Sequence, residues 1–157
     1  MRGNEIIVSS NPKGMFLEGV VSGTPKPGTA MSIKAATKLQ GGEPTWTPGA
    51  GGANGSPALI AILTADVLQG KDALSAYVNG TRCFLYAPIA GEDMNILAGE
   101  GAGTSNSYAI GDKLMMDNTT GVFIASSGSP PSIPFVAMEA LTQVVGSSLL
   151  WAKCTGH

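Results

Sequence analysis

The sequence predicts a mainly β fold: a compact antiparallel β-barrel or β-sandwich of roughly ten short strands, with little helix and an extended N-terminal arm. Three observations carry that expectation. Apolar runs are short and recur at close spacing, each broken by turn residues. The 157 residues include 22 Gly and 10 Pro, which punctuate a chain whose 43% hydrophobic content is too high for an unfolded polymer. Asn79-Gly80 stands between two apolar runs, and that dipeptide readily takes the positive φ angles of a two-residue hairpin turn.

In chain order, residues 1–29 hold the runs EIIV and MFLEGVV and end in Pro25-Lys26-Pro27. Prolines fix φ and remove backbone donors, so this exit cannot lie inside a sheet. The segment reads either as an arm ahead of a β domain spanning 30–157 or as a first hairpin of the core. Residues 30–38 alternate as a half-buried strand does, with Met31, Ile33 and Ala35 on one face. The Gly- and Pro-rich stretch 41–57 reads as a long loop, which tends to be functional. It presents Trp46 between Pro44 and Pro48, either as an interface anchor or folded back over the core.

Residues 58–63 (ALIAIL) form a continuous apolar run, expected in a strand buried on both faces. The hairpin follows, pairing 75–78 with 81–86, then a strand in GEDMNILAG and a pliable loop in AGEGAGTSNS. Strands are expected at 113–116, 122–126, 135–141 and 148–154, with a short helix as the alternative for PFVAMEALTQVV. No internal repeat is evident.

Charged residues make up 13%, about half the usual 25% or so. So little charge suits a surface that neighbours cover. The net charge of −2 gives no strong field for nucleic acid or membrane, and no apolar run is long enough to span a bilayer. The first forty residues carry a net +3, which suits docking on an acidic partner. No secretory signal is visible, so synthesis in a cytosol is expected, with Cys83 and Cys154 reduced and buried.

Catalytic constellations are missing from the pattern. His157 is the only histidine and ends the chain, a poor position for a general base. Two distant Cys and one terminal His do not make a zinc site. Gly70-Lys71 is followed by Asp72 where a phosphate loop needs Ser or Thr. Glu92 and Asp93 are adjacent and would point to opposite faces of a strand, while Asp112 and Asp117 flank an apolar strand and suit turn formation. The expectation is a non-enzyme without cofactor or metal.

The order PGTAMSIKAAT, ALIAILTADVLQGKD, AYVNGTRCFLYAPIAGEDMN, GDKLMMDNTTG and LLWAKC resembles the capsid decoration, or cement, proteins of tailed bacteriophages, over roughly residues 28–154. The resemblance implies a homotrimer on the outer surface of the virion, made in the host cytoplasm, with the major capsid protein as partner and neither nucleic acid nor membrane involved. It also implies an arm lying across the capsid. Ile6, Ile7, Met15, Phe16 and Leu17 would be its apolar anchors, with Arg2, Lys13 and Lys26 as charge partners. Trp46, Pro44, Pro48, Tyr77 and Tyr108 are the candidate trimer or loop contacts. The rival reading is a β-sandwich carbohydrate- or receptor-binding module, which would need Trp46, Tyr77 and Tyr108 exposed as stacking surfaces.

Overall fold

A computed structural model of the chain describes residues 5–9, 11–33, 43–49, 60–66, 74–99, 107–126, 135–142 and 146–156. Twelve strands run through them: β1 Met15–Val21, β2 Ala30–Ile33, β3 Thr45–Pro48, β4 Ile60–Leu63, β5 Arg82–Ala87, β6 Asp93–Ala98, β7 Ser107–Tyr108, β8 Lys113–Met116, β9 Phe123–Ala125, β10 Phe135–Ala137, β11 Leu141–Thr142 and β12 Ser148–Cys154. The fold is mainly β, and it closes as two barrels. One has the order β1-β3-β2-β4-β5 and the other β10-β12-β6-β9-β8; β7 and β11 pair separately.

The two barrels are the same structure built twice. Each has one parallel pairing, β1 with β3 and β6 with β9, and its other neighbours are antiparallel. The registers superpose residue by residue. Val21 pairs with Trp46 as Ala98 pairs with Phe123; Leu63 pairs with Leu85 as Ala137 pairs with Ala152. Turn bonds repeat as well. Gly28 N–H donates to Leu63 O and Leu63 N–H to Thr29 O, while Gly111 N–H donates to Ala137 O and Ala137 N–H to Asp112 O. Both glycines have positive φ, 87° and 92°, a conformation L side chains rarely take.

The repeat is hidden from the sequence because equivalent core positions exchange volume. Trp46 stands where the second barrel has Phe123, whereas Ala61 stands where it has the larger Phe135. Gly19, equivalent to Ile96, makes room for the indole: a Cβ there would collide with Trp46 Cδ1. Dense packing constrains the total volume of a core more tightly than the residue at any one position.

Two apolar clusters result. Val21, Met31, Trp46, Leu63, Tyr77 and Leu85 are among the residues filling the first barrel. The larger cluster fills the second and takes in Ala30, Ile62 and Tyr86 from the outside of the first. That explains the continuous run in β4. Ala61 and Leu63 face their own barrel while Ile62 faces the seam, and all three are fully buried. The seam is close: Leu97 N–H donates to Gly28 O at 2.9 Å and Ala30 N–H to Gly121 O at 2.8 Å.

Three expectations are corrected. Residues 15–21 are no free arm: β1 pairs with β5 from Met15↔Ala87 to Val20↔Arg82 and closes the first barrel, because Gly19 and Val21 bury against its core. The expected loop 41–57 contains β3, with 41–42 and 50–57 outside the described residues. Residues 75–78 do not form a hairpin with β5. Tyr77 turns into the core, its N–H bonded to Pro25 O and its hydroxyl to Thr64 O, so this stretch crosses the barrel end while Gly80 keeps the positive φ of 81°. Residues 135–142 carry two short strands in place of the alternative helix. The parts of expected strands at 34–38 and 58–59, and most of the loop 98–107, lie outside the described residues.

Candidate interaction surface

Ahead of β1, residues 5–9 lie along the free edge of β6 as a strap. Asn95 N–H donates to Ile6 O at 2.8 Å, Val8 N–H to Asp93 O at 3.0 Å, Asp93 N–H to Ser9 Oγ at 2.8 Å, and Asn95 Nδ2 to Glu5 O at 2.6 Å. Ile7 bridges Met94. Ile6 is buried with the second-barrel core. β6 offers this edge because it meets β9 only at Ala98↔Phe123, leaving backbone groups that must find partners elsewhere.

Glu92 fastens the strap where it turns into β1. It is buried, just before β6, and accepts from the Tyr86 hydroxyl at 2.6 Å, Ile89 N–H at 2.8 Å, Gly14 N–H at 3.3 Å, and Lys13 N–H. Gly14 N–H also reaches the Tyr86 hydroxyl oxygen, at 2.6 Å. One carboxylate thus ties the strap, the end of β5 and the β5–β6 turn. Burial works to raise the Glu92 carboxyl, but the bonds from Tyr86, Ile89, Lys13 and Gly14 together outweigh it and hold it below the usual carboxylate range.

The sign of this shift fixes a pH response. A carboxyl whose folded pKa is depressed stabilises the fold above its unfolded pKa, and that contribution is lost as pH falls through the folded value. The Gly14 amide is therefore expected to stay protected from hydrogen exchange near pH 4, where a free glutamate is about half protonated, and to lose protection only in stronger acid. Loss already at pH 5 to 6 would show that Glu92 does not hold the strap.

Beside this junction lies a cleft of about 420 Å³ lined by residues including Val8, Asn11, Lys13, Ile89 and Asp93. Around the Glu92 junction, where β1 begins and β5 ends, the molecule exposes large apolar side chains. Met15 is 59% exposed, Phe16 64% and Ile89 46%. Met15 and Phe16 pair with Ala87 and Tyr86 at the end of β5, two residues before Ile89. Phe16 leans on the Tyr86 ring with centroids 4.9 Å apart, so its backbone is fixed while most of its ring faces outward.

The candidate residues divide accordingly. Met15, Phe16 and Lys13 are exposed near the junction, and Lys13 also lines the cleft. Ile6 is buried, Ile7 bridges β6 and Leu17 packs partly against the first core, so these three hold the fold. Lys26 is exposed in the turn before β2, away from Met15 in sequence, and accepts a bond from Thr29 through its carbonyl. Arg2 lies outside the described residues. Trp46, Tyr77 and Tyr108 are 1%, 1% and 3% exposed, which corrects their assignment as contacts or stacking surfaces: each is a core residue whose polar atom finds a backbone carbonyl. Pro44 and Pro48 are partly buried on either side of Trp46.

Nothing in the sequence joins Tyr86, Ile89 and Glu92. Their only trace there is the turn Ala90-Gly91-Glu92 ahead of an apolar strand, where Gly91 has φ 94°. Asp112 and Asp117 act as turn residues: Asp112 Oδ2 accepts from Ala109 N–H, and Asp117 Oδ1 from the amides of Thr119 and Thr120 and the Thr120 hydroxyl. Among the described residues no three His, Cys, Asp or Glu side chains converge to hold a metal ion. No protein-family model matches the chain, and neither does any curated protein.

Proposed function

We propose that this chain is a capsid decoration protein of a tailed bacteriophage, bound as a homotrimer to the outside of the mature head, where it clamps neighbouring major capsid subunits. The observation that carries this reading is the set of large apolar side chains, Met15, Phe16 and Ile89, left exposed around the Glu92 junction where β1 begins and β5 ends. These apolar groups sit on backbone already fixed by β5 and Glu92, so a partner can bury them with little further loss of chain entropy. The low charge and many small residues agree with a surface that packs against neighbours. Many modest contacts on one shell act together, so each copy needs only moderate affinity.

The experiment is add-back of purified protein to heads of its own phage that lack it. Wild type is expected to bind to saturation. The double variant Met15→Ser, Phe16→Ser is expected to keep the wild-type fold, since both side chains are largely outside the core, and to need at least ten times more protein for half occupancy. Equal binding of the variant, or no binding by the wild type, would sink the reading. The carbohydrate- or receptor-module reading loses its three stacking rings to burial.

A further inference from the structure

The contact between the two barrels is head-to-tail. The first barrel offers the cross-strand row Ala30, Ile62, Tyr86, all fully buried, together with Gly28. The second barrel receives them on different elements, with Leu97 N–H bonded to Gly28 O and Gly121 O accepting from Ala30 N–H. A Cβ on Gly28 would lie 2.7 Å from Leu97 N. Were the two units related by a two-fold axis, Gly111, equivalent to Gly28, would meet Val20, equivalent to Leu97. Instead, space around Gly111 is open to 4 Å.

A head-to-tail contact between two like units leaves one of each surface unused. On the second barrel the unused surface is the row Lys113, Val136, Lys153, paired in register as Ala30, Ile62 and Tyr86 are. On the first barrel it is the outer side of β1 around Glu18 and Val20 with Pro44, equivalent to Asn95, Leu97 and Gly121. Neither is buried: Lys113 and Glu18 are exposed, and Val136, Val20 and Pro44 are half-buried.

We propose that a second copy of this chain docks its Lys113, Val136, Lys153 row onto the β1 face of the first, repeating between molecules the seam that joins the barrels within one. The charges suit each other. Lys113 and Lys153 face Glu18 and the exposed Glu43, with one balancing charge on each side, Asp93 beside Lys153 and Arg82 beside Glu18. Lysines stand where the internal seam has Ala30 and Tyr86, and Val20 N–H is already bonded to Pro44 O. The contact between copies therefore rests on side chains and is more polar, as a separable interface should be. Repeated around a ring it consumes both unused seam surfaces of every copy, and a ring of three is the homotrimer of the functional reading, on which this inference rests for its ring size alone.

Two variants, each blocking one surface, test this by sedimentation equilibrium. Wild type is expected to exceed the monomer mass of 15.9 kDa. Val20→Arg and Val136→Arg are each expected to stay monomeric, because each retains one surface and lacks its complement. Mixed one to one, they are expected to give a species of twice the monomer mass and nothing larger. Wild-type mass retained by either variant, or a mixture that stays monomeric, overturns the proposal. Should either fail to fold by circular dichroism, Glu18→Lys and Lys113→Glu replace them, expected to weaken assembly at least ten-fold singly and to associate when mixed. A wild type that is monomeric at all concentrations overturns this inference and leaves capsid add-back to judge the capsid contact separately.

Discussion

Replacing Trp46 with alanine is expected to destabilise the protein by about 3–5 kcal/mol, the usual loss for a large aromatic removed from a core. The indole is 1% exposed and among the largest fully buried side chains. Its Nε1 reaches Glu18 O at 3.3 Å, and Gly19 gives up its side chain to admit it. The same core includes the small Ala61, equivalent to Phe135 in the second barrel, so the indole supplies much of the volume that fills it. With a total stability of roughly 5–15 kcal/mol for a domain of this kind, the loss removes about a fifth or more of what holds the fold. Urea unfolding followed by far-UV circular dichroism measures it. A surface anchor would behave oppositely, leaving the urea midpoint in place and weakening only partner binding. A midpoint unchanged from wild type would show that Trp46 is not a core residue.

That residue also shows where the sequence was readable and where it was not. The β class, the short strands and the doubly buried run at 61–63 were legible, because strand period, turn residues and unbroken apolarity are local signals. Trp46 was ambiguous because Thr45–Pro48 is flanked by Gly and Pro, which mask a short strand held by two neighbours distant in sequence. The Asn79-Gly80 turn was legible but its partner strand was not: β5 is claimed on one side by β1, far earlier in the chain, and on the other by β4. Duplication was invisible for the reason its cores work, since Trp46 with Ala61 and Phe123 with Phe135 fill like spaces with unlike residues. The site was half legible. Met15 and Phe16 stood out as apolar residues near the N-terminus, whereas the bonds fixing them come from Glu92, in the distant turn before β6, and no spacing rule joins such positions.

Alkali is expected to unfold the protein cooperatively between about pH 10 and 12, with all three tyrosines ionising together. Tyr77, Tyr86 and Tyr108 are the only tyrosines in the chain, and each is at most 3% exposed. Burial pushes the Tyr86 hydroxyl up to about 12, aided by its bond to the Glu92 carboxylate. Burial likewise pushes Tyr108 up to about 12, where its hydroxyl lies 2.7 Å from Gly99 O. Tyr77 is raised as well, by burial first and then by the negative charge of Asp66. A group whose folded pKa lies above its unfolded value contributes stability that is fully present below the unfolded pKa, here about 10, and is lost as pH rises through the folded one. Moving a phenol from about 10 to about 12 is equivalent to about 3 kcal/mol once pH exceeds both values, so Tyr86 and Tyr108 alone would remove about 4–5 kcal/mol by pH 12, where the folded groups are still half protonated, comparable to the lower end of a small domain's stability. Absorbance at 295 nm should accordingly show almost no phenolate near pH 10, where a free tyrosine is about half ionised. It should then rise steeply, in step with loss of the circular dichroism signal and too slowly for simple titration. One tyrosine ionising reversibly near pH 10 in folded protein would show that its ring is open to water, and for Tyr86 it would mean that the Glu92 junction is open as well.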